Sequence, residues 1–554
     1  MHFLDWLIIF SYLFYIVWDG IRRSHSTRHV RGYFLANQAL PWWAIGLSIM
    51  ATQMSAITLV GTTGQGYQDG MKFIQFYFGL PFAMIILCFT VVPFFRRSKV
   101  FTAYEFLEKR FDCRIRILTS FLFLVSRGIS CGVIIAAPAL ILSIIFGWSL
   151  VLTVLIIGLP AVIYTMLGGV QAVTWADVKQ MALILVGMTV VLYVLVDQFP
   201  QEVSFGGALK LAGVSGRLET VDFSFDPSRT YTFWSGLLGG TFLMLSYFGC
   251  DQSQVQRYLT ARSITEGRVA LLLSALMKIP LQFVILLIGV LVFVFFNFSP
   301  APLAFNPSIL EESSTRPQFP ELEARHRVVQ DQLRQVATHM AIDVDGEIEK
   351  RSEYLELLDR RNKIRQELIN LSGLAINDVN YIFPYFVTRH LPIGIAGVMI
   401  AAILAAAMSS ISSELNALSA SSVMDIYCRL VQREAPPSHY LWISKLVTVF
   451  WGIVASTVAV YSGQLGSLIE VVNLFGSFFY GSLLGVFVLG IGTNWVTSRA
   501  ALVGLISGML VVALFSLVTD YSFLWYNAVG VVTVCLIGFL VSSIEALFGC
   551  KGKA

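Results

Sequence analysis

Charge is scarce in this chain. Asp, Glu, Lys and Arg make up 13% of its 554 residues, about half the share of an ordinary soluble protein. About a third of that charge falls between Glu311 and Asp378, so the rest runs for long stretches almost uncharged. With 56% hydrophobic residues, this excludes a soluble globular protein and indicates a polytopic membrane protein. Cysteine is sparse as well. Seven are scattered without CxxC or metal-ligand spacing, and the two long loops hold none, which excludes a disulfide framework. The seven histidines form no cluster, and HExxH and GxSxG are missing, so nothing supports a membrane enzyme. The net charge of +4 says little by itself, and no feature points to a nucleic-acid partner.

Long apolar runs are abundant. They fall at 3–20, 41–65, 72–95, 117–146, 149–167, 174–197, 231–250, 267–297, 392–425, 440–462, 466–492, 499–519 and 522–548. Each is long enough to span a bilayer, and thirteen spans put the termini on opposite sides. The first run lacks a basic leader and a small-residue cleavage site, so it is expected to be a retained helix. Arg22, Arg23, Arg28 and Arg31 follow it. Arg96, Arg97, Lys99, Lys109, Arg110, Arg114 and Arg116 follow the third run. Positive residues mark the cytoplasmic side. The N-terminus is then outside and the C-terminus inside, and the expected location is the plasma (inner) membrane. The loops at 198–230 and 298–380 are external, and both carry more acid than base.

Segment 311–372 differs from its surroundings. Its charged stretches carry apolar residues at helical spacing, and Gly346 after Asp343 and Asp345 suggests the turn of a hairpin. It is expected to be a solvated external cap, with a partner-binding module as the alternative. Asn297-Phe298-Ser299 and Asn370-Leu371-Ser372 match the glycosylation sequon.

Polar residues in mid-membrane carry the functional signal. In "AAAMSSISSELN" (405–416), Ser409, Ser412, Ser413 and Asn416 share one helix face, with Ser410 and Glu414 on the adjoining stripe. Single serines bond back to the preceding turn or let helices pack closely. Four of them beside a glutamate suit a hard cation that takes oxygen ligands. The run "LSIMATQMSAITLVGTTGQGYQDG" (47–70) has a polar centre at Ala51–Thr58. Gly61, Gly64, Gly66 and Gly70 are expected to make its outer end easy to unwind, exposing carbonyls to ions or solutes. Asp177 lies in the inner part of the sixth helix. Asp251, Gln252, Gln256 and Arg257 are expected at the cytoplasmic end of the seventh. Lys278 and Arg127 are lone cations in apolar helices, each either snorkelling to an interface or facing an internal cavity.

"WWAIGLSIMATQMSAITLVGTTGQGY", "GGVQAVTWADVKQ", "DQSQVQRYL" and "AAAMSSISSELNALSASSVMDIY" resemble the signature stretches of the sodium/solute symporter family, over about 1–300 and 375–545. The resemblance implies an all-α membrane protein of the LeuT-type fold, an inverted repeat of five plus five helices around two broken ones. It implies a first helix and loop at 1–34 and a first repeat at 35–200. An external loop follows at 201–230, then a second repeat at 231–492, interrupted by the 311–372 hairpin. Two C-terminal helices and a short tail complete it at 493–554. It further implies a sodium site at Ala51, Met54, Ala406, Ser409 and Ser410. A second, deeper site would use Asp177, Ser412 and Ser413 together with Ser409. Gln53, Thr58, Tyr77, Tyr247, Lys278 and Asn473, near Glu470, would meet the solute. Tyr247 matches the inner aromatic gate of sugar carriers and Lys278 their polar lysine, whereas Thr58 and Tyr77 stand where those carriers keep Gln and Glu. Glu414 and the long hairpin depart from the family pattern.

The expected function is sodium-driven uptake of a small polar solute by alternating access, with one or two sodium ions. A sugar or polyol is slightly favoured. The alternatives are an organic or inorganic anion (vitamin, carboxylate, sialic acid, iodide-like) and, in another class, a transporter-derived sensor. The partners implied are the solute and the lipid bilayer, and a protein partner of the hairpin is left open.

Overall fold

A computed structural model describes residues 1–23, 29–342, 348–374, 378–462 and 468–548. Apart from one isolated bridge between Leu40 and Ala261, the described residues form helices and their connections. Among the described residues the thirteen apolar runs fall mainly on helix. Among the described residues nine helices, some holding two runs, are long and apolar enough to cross a bilayer by themselves.

The elements that build the centre are α1 (Phe3–Arg22), α2 (Trp42–Gln53), α3 (Ala56–Asp69), α4 (Leu80–Phe89), α5 (Cys113–Phe146) and α6 (Leu150–Asp197). Next come α7 (Ser235–Cys250), α8 (Gln252–Leu259) and α9 (Ile264–Phe298). The charged pair α10 (Phe319–Ile342) and α11 (Ile348–Ser372) follows, then α12 (Val379–His390) and α13 (Ile395–Ser421). The chain ends with α14 (Pro437–Tyr461), α15 (Leu468–Gly492), α16 (Ser498–Val518) and α17 (Leu524–Leu547).

Short polar residues set the starts of these helices. Asp112 accepts from the backbone N–H of Arg114 and Ile115 at the head of α5, and Ser149, Ser263 and Thr497 cap α6, α9 and α16. The runs expected at 149–167 and 174–197 form one element, α6, broken at Gly169. There φ is 55° and ψ −155°, a conformation only glycine adopts readily. Helix α6 lies against α13 and α2, and α1 packs over α6 and α13. Helix α13 is buried along nearly its whole length, so its serines face protein rather than lipid.

Two sequence expectations are corrected. Of the four glycines of the 47–70 stretch, Gly70 (φ 77°, ψ −144°) interrupts the helix, at its end, whereas α3 is regular through Gly61, Gly64 and Gly66. Within α3 they allow close packing instead. A Cβ on Gly64 would run into the Val379 carbonyl of α12, and one on Gly66 into the Leu286 carbonyl of α9. Gly289 of α9 faces Thr63 and Gly66 in turn. The break between α2 and α3 lies earlier, at Met54 (φ −95°, ψ 66°) and the extended Ser55. The seventh run does not end at Asp251 either. Asp251 is one extended residue between α7 and α8, and Asp251, Gln252, Gln256 and Arg257 are all buried. A second broken helix thus carries them into the interior.

Segment 311–372 forms the expected helical pair, with its turn outside the described residues. It docks more deeply than a solvated cap. Tyr354 and Arg361 of α11 are fully buried. Asn297 at the end of α9 donates to the Tyr354 hydroxyl at 2.8 Å and accepts from Arg361 at 3.1 Å. The sequon at Asn297 is therefore closed to glycosylation in the folded protein.

Candidate functional site

The centre of the site is the Met54–Ser55 break. Ser55 starts α3 by accepting from the Thr58 backbone N–H, leaving the last carbonyls of α2 without helical partners. Ser410 of α13 faces them. Its hydroxyl donates to the Thr52 carbonyl at 3.1 Å and to the Ala406 carbonyl at 3.4 Å. Three oxygens from two helices thus meet beside Ala51 and Met54, both fully buried. This donor set suits sodium, a hard cation that takes neutral carbonyl and hydroxyl oxygens.

Ser409 belongs to a deeper set. It donates to Asp177 Oδ1 at 2.7 Å, while Ser48 of α2 donates to Asp177 Oδ2 at 2.6 Å. Arg257 of α8 lies 3.6 Å from the same carboxylate and also donates to Ser413. Ser413 and Thr52 share a hydrogen bond at 2.9 Å, and Ser412 donates back to the Ser409 carbonyl at 3.1 Å. Of the predicted deeper ligands, Asp177, Ser409 and Ser413 form one connected cluster, while Ser412 turns to its own helix. Arg257 already compensates Asp177.

Above the break lies a cavity of about 120 Å³. The predicted solute residues Gln53, Thr58, Tyr77 and Tyr247 line it, as do Thr52 and Ser410 of the ion set. Lys278 does not. Its ammonium sits behind Tyr77, 5.0 Å from the ring centroid, 3.5 Å from the Gln53 carbonyl and 3.2 Å from Met54 Sδ. There it places a positive charge at the carbonyl end of α2, the favourable end for a cation. The side chains of Asn473 and Glu470 lie outside the described residues.

A charged triad also lines the cavity. Arg127 of α5 donates through Nε to Asp251 at 2.5 Å and through Nη1 to Glu414 at 2.8 Å. The Tyr480 hydroxyl and the Ser253 hydroxyl and N–H complete the shell of Asp251. The guanidinium lies 5.1 Å from the Tyr247 ring and 5.3 Å from that of Tyr480, within cation–π range. Arg127 Nη2, Glu414 Oε2 and Gln53 Nε2 are buried without hydrogen-bond partners, so the cavity wall carries two donors and one acceptor still to be satisfied. The sequence marks Arg127 and Glu414 as odd. It does not pair them, because the contacts span 124 and 287 residues.

Formal charges in this buried middle balance: Arg127, Arg257 and Lys278 against Asp177, Asp251 and Glu414. A solute charge added here is therefore uncompensated unless an ion enters with it.

Comparison with known proteins identifies the family. The family described as Sodium:solute symporter family matches residues 33–322 and 366–508. The chain is 27% identical over 558 residues to the sodium/sialic acid symporter SiaT of Proteus mirabilis, covering 98% of this chain and 96% of that one. It is 27% identical over 500 residues to the human sodium/iodide cotransporter, covering 89% of this chain and 66% of that one. To the mouse sodium-coupled monocarboxylate transporter 2 it is 26% identical over 510 residues, covering 91% and 70%. The solved structure of a Na+-coupled sialic acid symporter, in a substrate-bound outward-open state, superposes with a TM-score of 0.77 at 25% identity over 98% of both chains. These relatives are multi-pass membrane transporters of small solutes, and the chain belongs to the sodium:solute symporter family, with sodium as its coupled ion.

Proposed function

We propose that this protein takes up a small solute bearing an anionic group, driven by inward sodium flow across the plasma membrane, with its N-terminus outside and its C-terminus inside. The observation that carries the reading is Arg127, a cavity-lining guanidinium with Nη2 unsatisfied. A carboxylate on the solute fits that donor. Glu414 Oε2 then accepts from a hydroxyl or amino group of the same solute. The relatives named for sialic acid, iodide and monocarboxylates point the same way. The sugar reading rests largely on Lys278, which lies behind Tyr77 rather than on the cavity, and it is set aside.

Coupling follows from the charge balance. A monoanion entering a formally neutral interior brings an uncompensated negative charge, and sodium beside Ser410 offsets it. Each ligand therefore raises the affinity for the other. Thr52 lines the cavity and its carbonyl accepts from Ser410, so ion and solute share a wall.

The test is uptake by the purified protein in proteoliposomes, using radiolabelled sialic acid, lactate, iodide and glucose with and without a sodium gradient. Sodium-dependent uptake of at least one anion, lost in Arg127→Gln, is the expected result. Uptake of glucose alone, or uptake indifferent to sodium, overturns the reading.

A further inference from the structure

A second cavity, of about 460 Å³, opens at the far end of α3, on the side that carries α10 and α11. Tyr67 and Gln68 of α3 line it, nine and ten residues beyond Thr58 in the central cavity. At 1.5 Å per residue the two cavities lie about 14 Å apart along one helix. Its polar wall is completed by Arg217 in the loop before α7, by Asn362, Arg365 and Gln366 of α11 and by Asp378, with Ile369, Val379 and Ile382 filling the rest.

Two arginines, Arg217 and Arg365, line this wall, and a third, Arg361, is buried behind it. Arg217 stacks 3.5 Å from the Phe293 ring centroid and donates to the Tyr67 carbonyl at 2.8 Å. Arg361 lies against the same ring at 5.5 Å, fully buried, with Nε unpartnered. Arg365 sits over Phe305 and donates to the Tyr67 hydroxyl. Asp378 is fully engaged: Arg365 holds it at 2.6 Å, and the backbone N–H groups of Phe305 and Asn306 donate to it. The buried charges feel one another. Burial, reinforced by Arg361, pulls Arg217 down to about 10. Burial together with Arg365 and Arg361 pulls the neighbouring His326 down to about 4. Arg217, Arg361 and Arg365, set against Asp378, which is already engaged, and Asp69 beside Arg217, favour an incoming anion.

We propose that this cavity is an outer anion site, formed by Arg217 and the α11 wall, which captures the carboxylate of the transported solute before it reaches Arg127. This rests on the anion reading and on the hairpin facing outward. It also accounts for the long charged hairpin, because α11 supplies Arg365 and the outer wall.

Two measurements test it. Equilibrium binding of the radiolabelled anion taken up above is counted on purified protein in sodium. The wild type is expected to bind two per chain, Arg127→Gln one and Arg217→Gln one, with Arg217→Lys restoring most of the second. Uptake is then measured for Gln366, an exposed residue of the wall. Gln366→Glu is expected to raise KM at least fivefold and Gln366→Lys to lower it. One anion bound per wild-type chain, or a KM indifferent to the charge at position 366, overturns the outer site while leaving the anion reading intact. No anion bound by the wild type at all sinks both. Displacement of the outer ligand by equimolar chloride overturns its assignment to a carboxylate.

Discussion

Ser410 contributes one hydroxyl, yet it joins the broken end of α2 to the centre of α13. Ser410→Ala removes an ion ligand without leaving a buried charge, so the fold is expected to survive. The sodium concentration for half-maximal uptake should rise about tenfold, equivalent to about 1.4 kcal/mol; an unchanged sodium dependence excludes the site. Asp177 behaves differently because Arg257 depends on it. Asp177→Asn strands a buried guanidinium, which typically costs about 3–5 kcal/mol. Its thermal stability should fall sharply, and Asp177→Asn with Arg257→Met should recover much of the loss. A double variant no more stable than the single one shows that the pair does not hold the fold. The serines and Asp177 are legible in the sequence because hydroxyls and a carboxylate are conspicuous in an apolar helix. The Arg127–Asp251–Glu414 triad is not, since no local spacing records a contact between three distant helices.

At the level of elements, the apolar runs fix where helices lie but not where they break. In the sequence the glycines of α3 look like points of weakness, whereas in a packed bundle they permit backbone contact. The link at Met54–Ser55 has no glycine or proline to announce it. Asp251 looks like the end of a span because its neighbours are polar, and burial beside Arg127 and Asn416 accounts for those neighbours. The hairpin is legible as helical but not as docked. Its docking carries a pH prediction. His326 is buried on α10 with its folded value at about 4, held down by burial and by Arg365 and Arg361, against about 6.5 for a free imidazole. The docked hairpin binds fewer protons than the undocked one, so docking is full above about pH 6.5 and weakens as pH falls towards 4. The loss reaches about 3 kcal/mol. Hydrogen exchange in α10 and α11, corrected for intrinsic rates, should rise over that window, and His326→Leu should flatten the rise. Exchange that stays constant in the wild type contradicts this role for His326.

For the whole molecule, the decisive quantity is charge moved per cycle. Sites at Ser410 and at Asp177 together predict two sodium ions per solute, hence one net positive charge per monoanion. Reversal potentials in proteoliposomes measure this directly. An electroneutral cycle would remove the deeper site from the transport scheme. Orientation is checked by labelling single cysteines from outside intact cells. Ser224→Cys, on the hairpin side, is expected to react, and Ser98→Cys, in the basic loop, to stay protected. The reverse pattern inverts the topology. The fold class is readable at this scale because hydropathy and basic loops are sums over many residues and tolerate local errors. The solute is not, because it depends on a few atoms in one cavity.

The seam at Gly66 and Gly289 has a mechanical consequence. Backbone lies on backbone there, with no layer of side chains that can slide. Helix α9 grips α3 on one side of the Met54–Ser55 gap and packs on α2 on the other, like a splint across a fracture. The gap is therefore a socket and not a joint. Helices α2 and α3 are thereby tied into one body with α9, and α2 meets α13 where Ser410 donates to the Thr52 carbonyl. An ion held across that contact acts as a latch between the two bodies.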